Sequence, residues 1–236
     1  MIEEYTKAKK AAEKEYKART AAGEYPFLPA LDDVLPDCDI MTKKYLGVME
    51  IPVELVAGTK TRARQNAFAA DFMPLMEPDT EFAYKWASLY STQIGEGFSD
   101  PIRVYEYLQR FYVYEGNKRV SVSRFLEMPV ISADVTRVMP SADVLAQNPA
   151  YAEFLRFFAV TGIYDIGFSR EGAFAEMADL LEKDLEHRWN EKDISSLKRS
   201  YLMFSQAYAD LRNKGADLQT GDAFLIYLRV YIRDAF

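Results

Sequence analysis

The spacing of apolar residues changes period several times along the chain, and each change predicts an element. Residues 2–22 interleave Glu and Lys, with Tyr5, Ala8, Ala12 and Tyr16 at helical spacing and Gly23 as a stop. They predict an amphipathic helix, read either as a docking arm or as a surface helix of the main domain. In Tyr25-Pro26-Phe27-Leu28-Pro29 each proline forces extended backbone before it, which predicts a linker with apolar anchors. Val48 to Val56 alternates with a period near two and predicts a short strand, followed by a loop over 57–64. Asp79 is placed to cap a helix carrying Phe82, Trp86, Leu89 and Tyr90 on one side, closed by Gly95 and Gly97.

The next segment is β-branched and aromatic. Residues 101–108 and 110–114 flank Gln109 and predict a hairpin whose second strand ends at Gly116. Asn117 to Leu126 predicts a helix offering Val120, Val122, Phe125 and Leu126 to the core, and Val130 to Val138 a returning strand. Beyond Pro140 helical patterns take over, near 149–158, 172–187, 194–213 and 222–234, with Gly215 and Gly221 as punctuation. The fold class is therefore α+β, a small mixed sheet with helices followed by an all-helical C-terminal subdomain. The expected divisions are 1–44 for the N-terminal helix and linker, 45–140 for the mixed domain and 141–236 for the helical part. The last pattern runs to Phe236 without a cap signal, so the natural chain can continue further.

Charge narrows the functional classes. The chain has 236 residues and a formal net charge of −7, from 29 basic and 36 acidic side chains. Residues 1–40 carry −3, 41–140 are neutral and 141–236 carry −4. That distribution disfavours a protein whose main task is to coat the DNA backbone, though it leaves room for a local basic cleft. One cysteine, Cys38, permits no internal disulfide, and with one histidine, His187, it supplies no four-ligand zinc site. Cys38 lies between Asp37 and Asp39 and reads as an unreactive thiol, and His187 as a favourable charge near a helix end. The N-terminus is charged from the start and no apolar run approaches the ~18–20 residues of a membrane span, so the expectation is a cytoplasmic protein.

Candidate chemistry concentrates in Tyr112-Val113-Tyr114-Glu115-Gly116-Asn117-Lys118-Arg119, where a strand ends in glycine and a helix starts with two cations. Such a junction suits an anion: glycine lets the backbone turn closely, the first helical amides point outward, and the macrodipole adds to Lys118 and Arg119. A second basic cluster, Lys60, Arg62 and Arg64, lies on the preceding loop and taken alone reads as a solvated surface.

The arrangement from Asp100-Pro101-Ile102-Arg103-Val104 through Arg110 to Val122 resembles the second conserved box of ParB/sulfiredoxin-like domains. Met128 to Val135 is similar to the strand that follows in that superfamily. Ile51 to Leu55 with Thr61-Arg62-Ala63-Arg64 is similar, more loosely, to its first box. The resemblance covers about residues 45–138 and implies a phosphate-binding cradle. On it, Gly116, Asn117, Lys118 and Arg119 match the phosphate loop, Thr61, Arg62 and Arg64 the first-box contacts to a nucleotide, and Glu115 the acidic residue before the glycine. Asn117 stands where sulfiredoxin has its catalytic cysteine, so sulfinic-acid reduction in that form is excluded. The third nucleotide motif and the helix-turn-helix of the partition proteins have only faint counterparts at Asn148-Pro149 and Ser169 to Gly172.

The expected function is binding of a nucleotide or phosphorylated small molecule. Magnesium would accompany a nucleoside triphosphate, and Glu115 would orient a metal or water for hydrolysis or kinase-like phosphoryl transfer. The alternatives are a DNA-associated regulator and an interaction module with a vestigial cradle. Homo-oligomerisation is expected, if anywhere, through the helical C-terminal part, and no membrane association is expected.

Overall fold

The computed structural model describes residues 2–212 and 215–233, except for the side chains of Arg64, Asp210, Arg212, Ile232 and Arg233. The chain forms two compact units, Met1–Met139 and Pro140–Phe236.

The first unit is an α+β layer. Helix α1 (Ile2–Ala22) buries Tyr5, Ala8 and Ala12, spaced so that one narrow stripe faces inward. The two alanines keep that stripe thin, and Tyr5 sets its ring edge-on to Trp86 at 5.5 Å while its hydroxyl donates to the Met76 carbonyl at 2.7 Å. α1 is thus part of the core. After the short helix α2 (Leu31–Val34) come strands β1 (Lys43–Pro52) and β2 (Val56–Thr59), then helix α3 (Glu81–Gly95). The single strand expected over 48–56 is in fact two strands: Pro52 offers no N–H, and Val53–Leu55 forms a one-turn 3-10 helix between them. β2 occupies the first residues of the expected loop. Helix α3 is capped by Thr80 rather than Asp79, its hydroxyl accepting from the Ala83 amide at 3.3 Å.

Strands β3 (Ile102–Tyr107) and β4 (Arg110–Glu115) form the expected hairpin, with Leu108 and Gln109 at positive φ in its turn. Helix α4 (Asn117–Phe125) and strand β5 (Val130–Val138) follow. The sheet order is β1-β5-β3-β4-β2. β1 is antiparallel to β5, β5 parallel to β3, β3 antiparallel to β4, and β4 parallel to β2. One face carries Ile51, Val104, Phe111, Val113, Ile131, Ala133 and Val135, all buried, with Glu106 and Arg137 paired in register on β3 and β5. The Trp86 indole donates to the Ser121 hydroxyl at 2.8 Å and so ties α3 to α4.

The second unit contains helices α5 (Ala142–Gln147), α6 (Pro149–Thr161), α7 (Ala173–Leu180), α8 (Glu191–Arg212) and α9 (Thr220–Arg233). α5, absent from the sequence reading, is capped by Ser141, whose hydroxyl accepts from the Val144 amide. Its core is aromatic: Phe157 packs on Phe174 at 4.9 Å and on Trp189 at 6.0 Å. Buried Glu153 accepts from the Phe174 and Ala175 amides at 3.1 and 3.2 Å, so the start of α7 is filled by the protein's own carboxylate. α7 ends at Leu180, seven residues before the expected end, because Glu182 turns into the left-handed region. His187 consequently lies in a non-helical stretch and bonds Asp184 at 2.9 Å, not a helix terminus. Asn148 and Pro149 open α6, and Ser169 to Gly172 precede α7, where both serve helix starts. The 213 end of the third expected C-terminal helix and the 234 end of the fourth lie outside the described residues.

Candidate functional site

Because β2 and β4 are parallel neighbours, with Gly58 opposite Tyr112 and Thr59 opposite Val113, their C-terminal ends leave the sheet side by side. The Lys60 amide donates to the Val113 carbonyl at 2.8 Å and extends this pairing by one residue. The segments 60–67 and 116–119 therefore flank one corner, outside the carboxyl ends of parallel strands where α/β layers leave a crevice.

Gly116 makes the turn. Its φ is +111, and an added Cβ would lie 2.6 Å from Ile102 Cγ2 and 3.3 Å from the Arg119 guanidinium. It precedes α4 and gives no side-chain cap, and the first amides of any helix lack an intrahelical acceptor. Half-buried Asn117 donates from Nδ2 to the Thr59 hydroxyl at 3.3 Å, and that hydroxyl donates to the Val113 carbonyl at 3.2 Å. Asn117 Oδ1 is buried without a hydrogen-bond partner. Thr59 and Asn117 thus join the two segments, a contact the sequence reading lacked.

The cations take separate partners. Arg119 donates from one nitrogen to the carbonyls of Asp100 and Pro101, at 2.5 and 3.1 Å, and so fastens α4 to the start of β3. Lys118 places its ammonium 4.4 Å from the centre of the Phe82 ring on α3. Exposed Arg62 pairs with Asp33, which also accepts from Gln65 Nε2 at 2.8 Å. Thr61 stands at the N-cap of the 3-10 helix Arg62–Ala67 without bonding it, and the Arg64 side chain lies outside the described residues. Glu115 is exposed and sits 3.6 Å from Arg103. Gly58 is a packing glycine, since a Cβ there would meet the Pro29 carbonyl at 2.1 Å.

Lys60 corrects the reading of its cluster as a solvated surface. Its side chain is 7% exposed and bridges Asp32 and Asp39 at 2.8 Å each. Burial pulls its pKa down, but the two carboxylates more than offset this and hold it above the ordinary lysine value, while Lys60 holds Asp39 below its own. The signal was in the sequence as two complementary runs, Asp32, Asp33, Asp37 and Asp39 against Lys60 and Arg62. Cys38 is buried beside this network, and burial raises its thiol pKa against the opposing pull of Lys60 and Lys43. Behind the corner, Arg124 donates to the Val56 carbonyl at 2.6 Å and the Asp71 carbonyl at 3.3 Å, and stacks over Phe72 at 4.9 Å. Among the described residues no group of three or more His, Cys, Asp or Glu is placed to hold a metal ion.

The chain is similar in part to sulfiredoxin. The crystal structure of sulfiredoxin from Arabidopsis thaliana aligns at 20% identity over 43% of this chain and 96% of that one, with a TM-score of 0.27. No family model and no curated protein matches the sequence. So slight a likeness adds nothing to the corner, whose chemistry rests on its own residues. Among the described residues no helix is long and apolar enough to cross a membrane.

Proposed function

We propose that this chain binds a small molecule bearing a phosphate group, held at the start of α4. The observation that carries this reading is Asn117: it opens a helix without a side-chain cap, next to a parallel strand end, with a buried acceptor oxygen that no protein donor satisfies. Phosphate oxygens would accept from the first-turn amides, and a hydroxyl of the same ligand would donate to Asn117 Oδ1. The contrast with α7 supports the same reading, since there Glu153 already supplies the anion.

The engagement of Arg62 by Asp33 and of Arg119 by two carbonyls favours one phosphate group over a magnesium-bound triphosphate, because little unspent positive charge is at hand for three. Glu115, facing Arg103, is in this reading a surface carboxylate and not a catalytic base. Calorimetry and thermal melting with inorganic phosphate, a nucleoside monophosphate, and a triphosphate with and without magnesium distinguish these ligands. At a hundred-fold excess over Kd a ligand stabilises by about 2.7 kcal/mol, well within reach of a melt. Asn117→Asp should leave the fold intact, as a carboxylate suits a helix start, yet abolish the response to phosphate by repulsion. A wild-type protein indifferent to all of these ligands would sink the reading.

A further inference from the structure

A cavity of about 130 Å³ opens within the second unit, where the stretch between α7 and α8 meets α8 and α9. Its floor is apolar, made by Trp189, Leu197, Phe224 and Leu228, all buried. The sequence of α8 explains why the space is left. Spacing by three and four puts Asp193, Ser196, Leu197 and Ser200 on one side of the helix, and two of these four are serines. In the following turns Tyr201 and Phe204 meet Phe224 at 5.2 and 5.3 Å and fill the space between α8 and α9 with rings. Serine is too short to do the same, and in an interior otherwise packed to crystal-like density the missing volume stays open.

The walls are fixed by contacts outside the cavity. The Trp189 amide donates to the Val160 carbonyl at 3.0 Å, its indole donates to the Asp184 carbonyl at 2.8 Å, and its ring stands edge-on to Phe157. Phe224 is held by Tyr201 and Phe204. A ligand therefore has no walls to order on entering, which is the usual condition of a small-molecule site.

Size, charge and polarity define the occupant. A cavity of about 150 Å³ lined by aliphatic and aromatic side chains holds benzene, so this one has room for a single six-membered ring. Lys183 and Asp193 on its lining bond each other at 2.6 Å, and an ionised ligand would have to part them. Exposed Ser196 and Ser200 line the same cavity with hydroxyls that both donate and accept. We propose that the second unit binds a neutral, single-ring aromatic molecule bearing one hydroxyl, its ring against Trp189 and Phe224 and its hydroxyl between the two serines. The site shares no residue with the anion corner and stands or falls independently of it.

Calorimetry on the full chain with phenol, benzene, benzoate and benzylamine tests this. Phenol should bind one to one, benzene about five-fold more weakly for want of the hydrogen bond, and both charged rings about ten-fold more weakly or worse. Ser200→Leu fills the gap and should weaken phenol by about ten-fold or more while melting no lower than wild type. Ser196→Ala combined with Ser200→Ala should bring phenol down to the affinity of benzene and leave benzene unchanged, a split that a general loss of structure would not give. Asn117→Asp should bind phenol as wild type does. The proposal is overturned by a wild type that binds neither phenol nor benzene, or by benzoate or benzylamine binding as tightly as phenol. A folded Ser200→Leu with full affinity also overturns it, as does a loss of phenol binding in Asn117→Asp.

Discussion

At position 116 two constraints coincide: a backbone φ of +111 and the Ile102 side chain 2.6 Å from where a Cβ would stand. Gly116→Ala should therefore cost about 2–4 kcal/mol, combining left-handed strain with local overpacking, as a shift in the urea midpoint would report. Lys60 presents the opposite case, a charge kept inside by two carboxylates that remain partly in water. Lys60→Met should cost about 1–3 kcal/mol, less than breaking a fully buried pair, since Asp32 and Asp39 are not left stranded. The pH dependence has a definite sign. Asp39 is held below its ordinary pKa by Lys60, so its stabilisation is present above that ordinary value and is lost as pH falls through the depressed one. The gap between wild type and Lys60→Met should accordingly narrow on acidification from about pH 5, and a gap that widened would show the pair is not responsible.

Among the elements, α1 is the one whose role changes most between sequence and structure. Its polar composition reads as a surface helix, yet Tyr5, Ala8 and Ala12 join Trp86, Ala83 and Val122 in one core cluster. Tyr5→Ala removes a fully buried ring and a hydroxyl bond, and should cost about 3–5 kcal/mol with a redder Trp86 emission. A loss under about 1 kcal/mol would mean that α1 rests on the surface after all. At the edges of the sheet, β2 is covered by the chain itself, through the bridge of Ala30 to Thr59. β1 has only β5 beside it among the described residues, with a bulge at Leu46 that interrupts its regularity.

On the scale of the molecule, each compact unit holds one tryptophan, Trp86 in the first and Trp189 in the second, so their unfolding can be followed separately. Residues 1–139 expressed alone should unfold cooperatively in urea with a buried Trp86 signal, because α1, α3 and α4 share one core cluster formed by residues between Tyr5 and Leu126. A fragment with solvent-exposed emission in buffer would contradict that. The cut belongs after β5 and must leave α1 in place, since removing residues 1–44 would take Tyr5 and the first two paired residues of β1, Lys43 and Lys44, with it.

Local chemistry was enough to mark the hairpin around Gln109, the Gly116 turn, helix 117–125 and strand 130–138, because each is written in short-range periodicity and in residues with restricted or permissive backbones. The same sequence also placed glycine and helix start together at the candidate corner. Only tertiary structure decided what the cations do. Whether Lys60, Arg62, Lys118 and Arg119 face a ligand or a neighbour depends on Asp32, Asp33, Phe82 and the 100–101 carbonyls, groups 18 to 36 residues away in sequence that no local pattern connects. Long side chains carry charge on flexible stems, and their partner is chosen by whatever the fold brings within reach.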